Sequence, residues 1–526
     1  MRRIMTLVLA AGMLLGAASG AGAVDFKIKG EWLMGFGLGD GHLISKERAL
    51  GASEKVATNA EDKFSALQRV RIQLDAEASE NLSGTIYLEI GDTNWGKAEE
   101  GGALGADSTN IIKLKNAYLD WAVPGLDLRF RMGIQGVTLP NKAGGSMVLD
   151  DDIAGIVGSY KFNDNVSLTA LWLRPVNDNY NGEGIPSNRT NYLDNIDVFA
   201  LTLPLTFDGF EITPWVAFGM AGSRSFTNYR DDYSYTWNDY ITSTYANGVE
   251  DSERRNFVGP TSKGYGNIFF AGLPMAITAF DPLNIEIDLN YGYGDALGRS
   301  WAVKHQNIST QQEITDLIDN PPARRGSTMR QGWVAKALVE YKMDWGVPGI
   351  FGWYASGDDG SPSNGSERMP GISPCGNFTS FLGDGPMGWA PNGRFYDQAL
   401  SYAGTWGIGA RVKDFTFMED LKHTLSVAYW GGTNSPAMVK YMAQSSDWYL
   451  GTDSTFGPYL TTNDGLLEIN LINNFQIYEN LEMVLELGYI ANFVDNSTWR
   501  HTNTGNNTSF EKQDAWKAQL VFAYTF

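Results

Sequence analysis

Cysteine is nearly missing from this sequence. Cys375 stands alone, so no internal disulfide framework holds the chain together. Basic residues are also scarce, with 40 Lys and Arg against 60 Asp and Glu and a net charge of −20. A chain of that sign repels nucleic acid, and no basic tail or stripe offsets it. Histidine is limited to His42, His305, His423 and His501. None has a second histidine or a cysteine at ligand spacing, so no metal or other cofactor is expected. A nucleophile elbow, a P-loop and a dinucleotide fingerprint are all lacking. The sequence is therefore not read as an enzyme. No repeat of 20–50 residues appears, which disfavours a propeller or solenoid, and no Pro-rich linker divides the chain.

Long apolar runs are missing too, apart from the first residues. There Arg2 and Arg3 precede the apolar stretch Ile4 to Ala18, and Ala21-Gly22-Ala23 ends it. That order predicts a cleaved secretory signal over 1–23 and a mature chain that begins at Val24. Loss of the two arginines takes the formal charge to −22. Beyond it nothing approaches the roughly 20 apolar residues of a spanning helix. A β-barrel needs none, because its strands are apolar only at alternate positions.

Alternation is what the sequence does have, together with 60 Gly, 16 Trp, 24 Tyr and 26 Phe. In the last eleven residues Trp516, Ala518, Leu520, Phe522, Tyr524 and Phe526 share one strand face, with Lys517, Gln519 and Thr525 on the other. The same period places strands at 24–38, 64–78, 83–93, 110–123, 126–136, 153–162, 166–176, 196–207 and 210–221. It continues at 265–278, 283–294, 331–342, 349–357, 401–413, 421–430, 465–477, 481–493 and 512–526. Short turns such as Asn163-Asp164-Asn165 and Asp208-Gly209 alternate with long polar connections such as 222–264 and 358–400. The fold expected is all-β: one closed antiparallel transmembrane barrel over 24–526, with about 18 strands. The weak patterns at 153–162 and 349–357 make 16 the alternative. Either count leaves an aqueous lumen. An even number puts both ends on the periplasmic, short-turn side, with the long loops extracellular.

Parity then nominates lumen residues. Arg69, Arg71, Arg129 and Arg131 lie opposite continuously apolar faces. On the lipid face each arginine near the midplane would cost about 2–4 kcal/mol. Lys113 and Lys115 join them if the ambiguous strand 110–123, where they share parity with Leu119 and Trp121, takes that register. The segment 137–152 ends in Asp150, Asp151 and Asp152, which are expected to face the arginines across a constriction. Glu286, Asp288 and Asn290 add the opposite sign to the wall. Acid clusters at Glu99-Glu100, Asp231-Asp232 and Asp358-Asp359 fall in outer loops, and 358–367 does not fit an EF-hand. Solvated charge and cation bridging to lipopolysaccharide phosphates both remain open for them. The His-x-Ser pair of outer-membrane phospholipases does not occur, and the paired acids of the omptin-like proteases are matched only by His42 near Asp40.

Gly136-Val137-Thr138-Leu139-Pro140-Asn141-Lys142-Ala143-Gly144-Gly145 after Arg129 and Arg131 resembles the third-loop region of general diffusion porins. In that family the loop folds into the lumen, and its Pro and Gly-Gly match here while Asn141 and Lys142 stand where Glu and Phe do. Val24-Asp25-Phe26-Lys27-Ile28-Lys29-Gly30-Glu31-Trp32 and Lys115-Asn116-Ala117-Tyr118-Leu119-Asp120-Trp121 resemble the homotrimeric porins of sulfate-reducing bacteria. The resemblance implies a homotrimer in the outer membrane, seated among lipopolysaccharide and lipid and passing small hydrophilic solutes. The terminal alternation through Leu520, Phe522, Tyr524 and Phe526 is similar to the sorting signal read by the barrel-insertion machinery. Passive diffusion is the expected function. A substrate-specific channel for small anionic or organic-acid nutrients and a barrel adhesin are the alternatives.

Overall fold

The computed structural model describes residues 24–40, 63–96, 112–177, 195–222, 265–295, 329–379 except 362, 375 and 377, 402–438, 460–499 and 514–526. It also describes the short pieces 44–48, 55–57, 102–103, 259–260, 298–303, 323–327 and 511–512. The signal 1–23, His42, His305, His501, Glu99-Glu100, Asp231-Asp232 and Cys375 lie outside the described residues, with most of 222–264 and 380–400.

Alternation of apolar and polar residues drives every strand, because one face meets lipid-like surroundings and the other the interior. β1 (Asp25–Asp40), β2 (Lys63–Ser79), β3 (Leu82–Trp95), β4 (Lys113–Ala122), β5 (Leu128–Thr138) and β6 (Asp150–Lys161) come first. β7 (Ser167–Asn177) is followed by two interrupted strands, β8 (Asn195–Thr202 with Leu205–Phe207) and β9 (Phe210–Ile212 with Trp215–Gly222). The interruptions fall at Pro204 and Pro214, which have no N–H to give the ladder. Next are β10 (Tyr265–Ile277), β11 (Leu283–Gly294), β12 (Arg330–Tyr341) and β13 (Val347–Ala355). β14 (Thr405–Met418), β15 (Leu421–Gly432), β16 (Gly465–Tyr478), β17 (Leu481–Asn492) and β18 (Ala515–Thr525) complete the wall.

Each strand pairs antiparallel with its neighbours in sequence, and β18 returns to β1, so eighteen strands form a closed barrel. The two weak patterns are both real strands, β6 and β13, which removes the count of sixteen. β6 begins earlier than its pattern suggests and takes in Asp150 to Asp152. At the seam the register runs from Glu31 opposite Thr525 to Asp40 opposite Trp516. Phe526 extends it, exchanging two backbone hydrogen bonds with Gly30 at 2.8 and 3.0 Å. A side chain at Gly30 would collide with the Phe526 ring, its Cβ falling 2.3 Å from Cζ. Gly30 is thus the space into which the last aromatic closes.

The outer face is apolar and exposed, with Ile28, Leu119, Phe218, Ile350 and Ile408 among its residues. At the short-turn end Phe162, Phe207, Phe280, Trp345, Phe417, Tyr478 and Phe526 are all exposed, forming the aromatic girdle of an interfacial rim. His423 belongs there as well, its ring 5.2 and 5.6 Å from those of Phe415 and Phe417. Its Nδ1 lies 2.7 Å from Asn473 Oδ1.

Inside, a contiguous buried cluster joins the inner faces of most strands from β6 to β18 to two inserted segments. The faces of β1 to β5 are left largely outside it. The interior therefore has a filled arc and an open one.

Candidate functional site

The first inserted segment, 139–149, leaves β5 and returns at β6. Leu139 donates its N–H to Leu149 O at 2.9 Å and closes the base like a hairpin. Leu139, Ala143, Met147, Val148 and Leu149 are all buried, so the segment lies inside the barrel and not over its mouth. Its tip reaches the wall of β9, β11 and β12. Trp215 Nε1 donates to Pro140 O at 3.0 Å. Lys142 and Ala143 donate backbone N–H groups to the Asp288 carboxylate at 2.8–3.1 Å. Lys142 Nζ pairs with Glu211, and Lys336 Nζ donates to Gly145 O. Gly144 and Gly145 both have positive φ, +65° and +87°, which L side chains rarely adopt. That turn aims their carbonyls at Tyr402 and Lys336. Tyr402 Oη donates to Gly144 O at 2.9 Å.

The second inserted segment, 356–379, comes from the connection after β13. Ile372 and Ser373 both donate N–H groups to Val148 O, at 2.8 and 3.0 Å. Asp150 donates its N–H to Ser373 O at 2.8 Å. Arg368 is buried and gives Nη2 to Ala403 O at 3.0 Å. Phe378 stacks on Phe351 at 4.8 Å, and Trp353 meets Trp430 edge-on at 4.3 Å. The two segments and this aromatic group fill the lumen against the later strands, as a globular core would.

The open arc is different in kind. Arg131 gives Nε and Nη2 to both oxygens of Asp120 at 2.7 and 3.0 Å and lies 4.2 Å over the Tyr118 ring. Yet their side chains remain 42% and 37% exposed. Arg71 Nε donates to Glu89 at 2.9 Å, with Arg69 at 3.8 Å from the same carboxylate. Lys27 pairs with Glu77 at 2.6 Å and Lys29 with Asp75 at 3.9 Å. Arg129 is exposed. Exposed pairs such as Lys27–Glu77 and Arg131–Asp120 contribute about 0–1 kcal/mol each, so their consequence is the field they set up along the wall. Among the described residues, the Asp288–Lys336 pair at 3.4 Å and the Glu486–Lys517 pair at 3.3 Å are the opposite case, with side chains 0–2% exposed. Removing one partner of such a pair costs about 3–5 kcal/mol.

Each residue nominated from the sequence has a definite place. Arg69, Arg71, Arg129 and Arg131 are on the open wall, each cross-strand from or beside an acid or a small residue. The ambiguity of strand 110–123 comes from a β-bulge. Asn116 opposes Tyr87 and Leu114 opposes Leu88, which leaves Lys115 unopposed. One extra residue shifts parity, so Lys113 sits opposite the inward Glu89 while Leu119 and Trp121 keep the outer face. Lys115 pairs with Asp152, whose other oxygen accepts from Asn116 Nδ2 at 2.7 Å.

Asp150, Asp151 and Asp152 begin β6 and sit at the root of the inserted segments, not opposite the arginines. Asp150 accepts from Thr138 Oγ1 at 2.5 Å and Asp151 from Ser373 Oγ at 2.9 Å. By register Asp150 and Asp152 carry the parity of Ile134, the outward one, and only Asp151 the inward parity.

Five interior residues carry no sequence-level nomination as clamps or core: Asp288, Lys336, Arg368, Phe378 and Tyr402. For the last three the only available signal was a handful of apolar and aromatic residues in a connection otherwise polar. For Asp288 and Lys336 it was an acid and a base at cross-strand positions whose register a long loop hides.

No protein-family model matches the chain, and no curated protein matches it. Among solved structures, the chain is similar to Pseudomonas aeruginosa OccK11 (OpdR), with 10% identity, 95% of each chain covered and a TM-score of 0.45. It is also similar to Pseudomonas aeruginosa OccK2 (OpdF), solved in complex with glucuronate, at 10% identity over 95% of this chain and 98% of that one, TM-score 0.44. A BenF-like porin from Pseudomonas fluorescens Pf-5 gives 9% identity, the same two coverages and a TM-score of 0.45. Likeness at this level carries no argument about solutes, and the closed barrel rests on its own strand pairings.

Proposed function

We propose that the protein is an outer-membrane channel for passive diffusion of ions and small hydrophilic solutes, with the path running along the inner faces of β1 to β5. The observation that carries this reading is the contrast inside one closed barrel with an apolar jacket. Its inner wall is charged and partly exposed over one arc and largely packed over the rest. Arg69, Arg71, Lys113, Arg129 and Arg131 line the path, with Glu89 and Asp120 among them, and together they set the ion preference. Lys115 and Asp150 to Asp152 act at the loop root, holding the narrowing segments at the edge of the path. Mixed signs on the wall favour broad diffusion over a one-sign ladder. Single-channel recording in a planar bilayer tests the proposal. Stable ohmic steps support it; a folded protein that gives no steps overturns it.

The filled arc favours a second, narrower reading, selective passage of small organic acids. It is told apart by liposome swelling. Comparable rates for neutral sugars and carboxylates of equal size would support general diffusion, and saturable carboxylate entry would support selectivity.

By the resemblance of its sequence, the chain assembles as a homotrimer among lipopolysaccharide after cleavage of 1–23. Its last strand, through Leu520, Phe522, Tyr524 and Phe526, is what the insertion machinery reads. Single copies in native mass spectrometry of mild-detergent extracts would contradict the trimer.

A further inference from the structure

The tip of the 139–149 segment is held by one carboxylate. Three contacts, 2.8–3.1 Å long, run from the backbone N–H groups of Lys142 and Ala143 to the two oxygens of Asp288. Lys336, directly cross-strand on β12, balances that charge and donates to Gly145 O on the far side of the same turn. The remaining polar ties are weaker in kind. Trp215 and Tyr402 each give one hydrogen bond to a loop carbonyl, and the Lys142–Glu211 pair is partly exposed and open to screening by salt. The segment crosses from β5 and β6, at the border of the open arc, to β11 and β12 within the filled one. Whatever fixes its far end therefore fixes how much of the lumen stays clear. Asp288 and Lys336 are too buried to act on passing ions themselves.

We propose that Asp288, together with Lys336, is the positioning residue that sets the channel aperture by clamping the 139–149 segment to the wall away from the path. The inference rests on the channel reading and adds to it the part that keeps the conducting state steady. With the clamp gone, the segment remains rooted at Asp150 and its tip is free to swing into the open arc. Apolar packing of Leu139, Met147, Val148 and Leu149 is the competing account, and it would hold the segment without Asp288.

Two measurements on the full-length protein, folded in vesicles, test the proposal. In Asp288→Asn, hydrogen exchange at the amides of Lys142 and Ala143 should accelerate at least about tenfold, while barrel-strand amides exchange as before. Single-channel records should change from steady steps to repeated brief closures. Asp288→Asn leaves Lys336 buried without its partner, so the pair Asp288→Asn, Lys336→Met serves as a second variant in which both charges are gone. The same two changes are expected of it. Unchanged exchange in a folded variant would show that packing alone holds the segment and would overturn the clamp. Faster exchange with quiet, full-sized steps would overturn its role in the aperture. Exchange does not depend on conduction, so a wild-type barrel that passes no current would fail the channel reading separately.

Discussion

Two arcs of one wall are built from the same alternating strands and end in opposite states. On β7 to β18 the inward positions hold residues such as Leu173, Val198, Phe270, Val334, Trp430 and Ile490, all buried. On β1 to β5 they hold Lys29, Arg71, Glu89, Asp120 and Arg131, which keep water. The outer faces do not differ in this way, since both are largely apolar. A barrel's jacket and its lining are thus set independently, one parity answering to lipid and the other to whatever the lumen contains. The filled arc is a core by the ordinary measures of packing, and the open arc is a surface. Substitutions should follow that division.

The largest effect should come from the seam, which both arcs share. Deleting Phe526 removes two backbone hydrogen bonds to Gly30 and an aromatic from the girdle. Heat-modifiable folded protein in the outer membrane should fall several-fold, and Gly30→Val should do the same from the other strand. Normal amounts of both variants would mean that closure tolerates an unpaired end.

Next is a matched pair that separates the arcs. Trp430→Ala in the filled arc empties a fully buried site and removes the indole hydrogen bond that Glu468 accepts at 3.1 Å. The expected loss is about 3–5 kcal/mol, read as a lower urea midpoint. Tyr118→Ala in the open arc should shift that midpoint by less than about 1 kcal/mol, since its ring covers a guanidinium in contact with water. It should alter conductance instead. Equal midpoints for the two variants would erase the distinction drawn here.

How much of this was legible follows from the range of each interaction. Strand existence is local, and period-two counting located all eighteen strands, the weak β6 and β13 included. The resemblance of Pro140 and Gly144-Gly145 to an inserted loop also pointed inward. Where the loop docks was not legible, because Lys142 and Asp288 are 146 residues apart and nothing in either neighbourhood names the other. The parity of Lys113 and Lys115 was hidden for a different reason. A bulge is one residue that leaves no mark on composition, and it inverts the reading of everything beyond it. Burial within 356–379 was missed because polar composition reads as solvated, whereas Arg368 gives Nε and Nη2 to the carbonyl of Ala403 inside the lumen.

The smaller effects lie within the open arc and concern current. Replacing Arg129 and Arg131 with Ala removes two positive charges from the wall. At about 10 Å from an ion in water each charge contributes about 0.4 kcal/mol before screening, so the pair should raise cation passage and lower anion passage by at most about fourfold each, and their permeability ratio by at most about sixteenfold. Reversal potentials in a salt gradient give that ratio, and no shift in a folded variant would place the ion path elsewhere.

Glu89→Gln is the smallest change and the most discriminating in sign. Glu89 is the carboxylate shared by Arg71 at 2.8 Å and, as an ion pair, Arg69 at 3.8 Å. Neutralising it removes the negative charge between two guanidinium groups, and the wall gains one net positive charge. The permeability ratio should then move the other way, toward anions, by up to about fourfold. The shift should also fade as salt is raised from 0.1 M towards 1 M, over which the screening length falls from about 10 Å to about 3 Å. Opposite shifts for the arginine and glutamate variants, both collapsing at high salt, are what a path along β1 to β5 requires. Shifts of the same sign would mean that these side chains act through the packing of the wall and not through its charge.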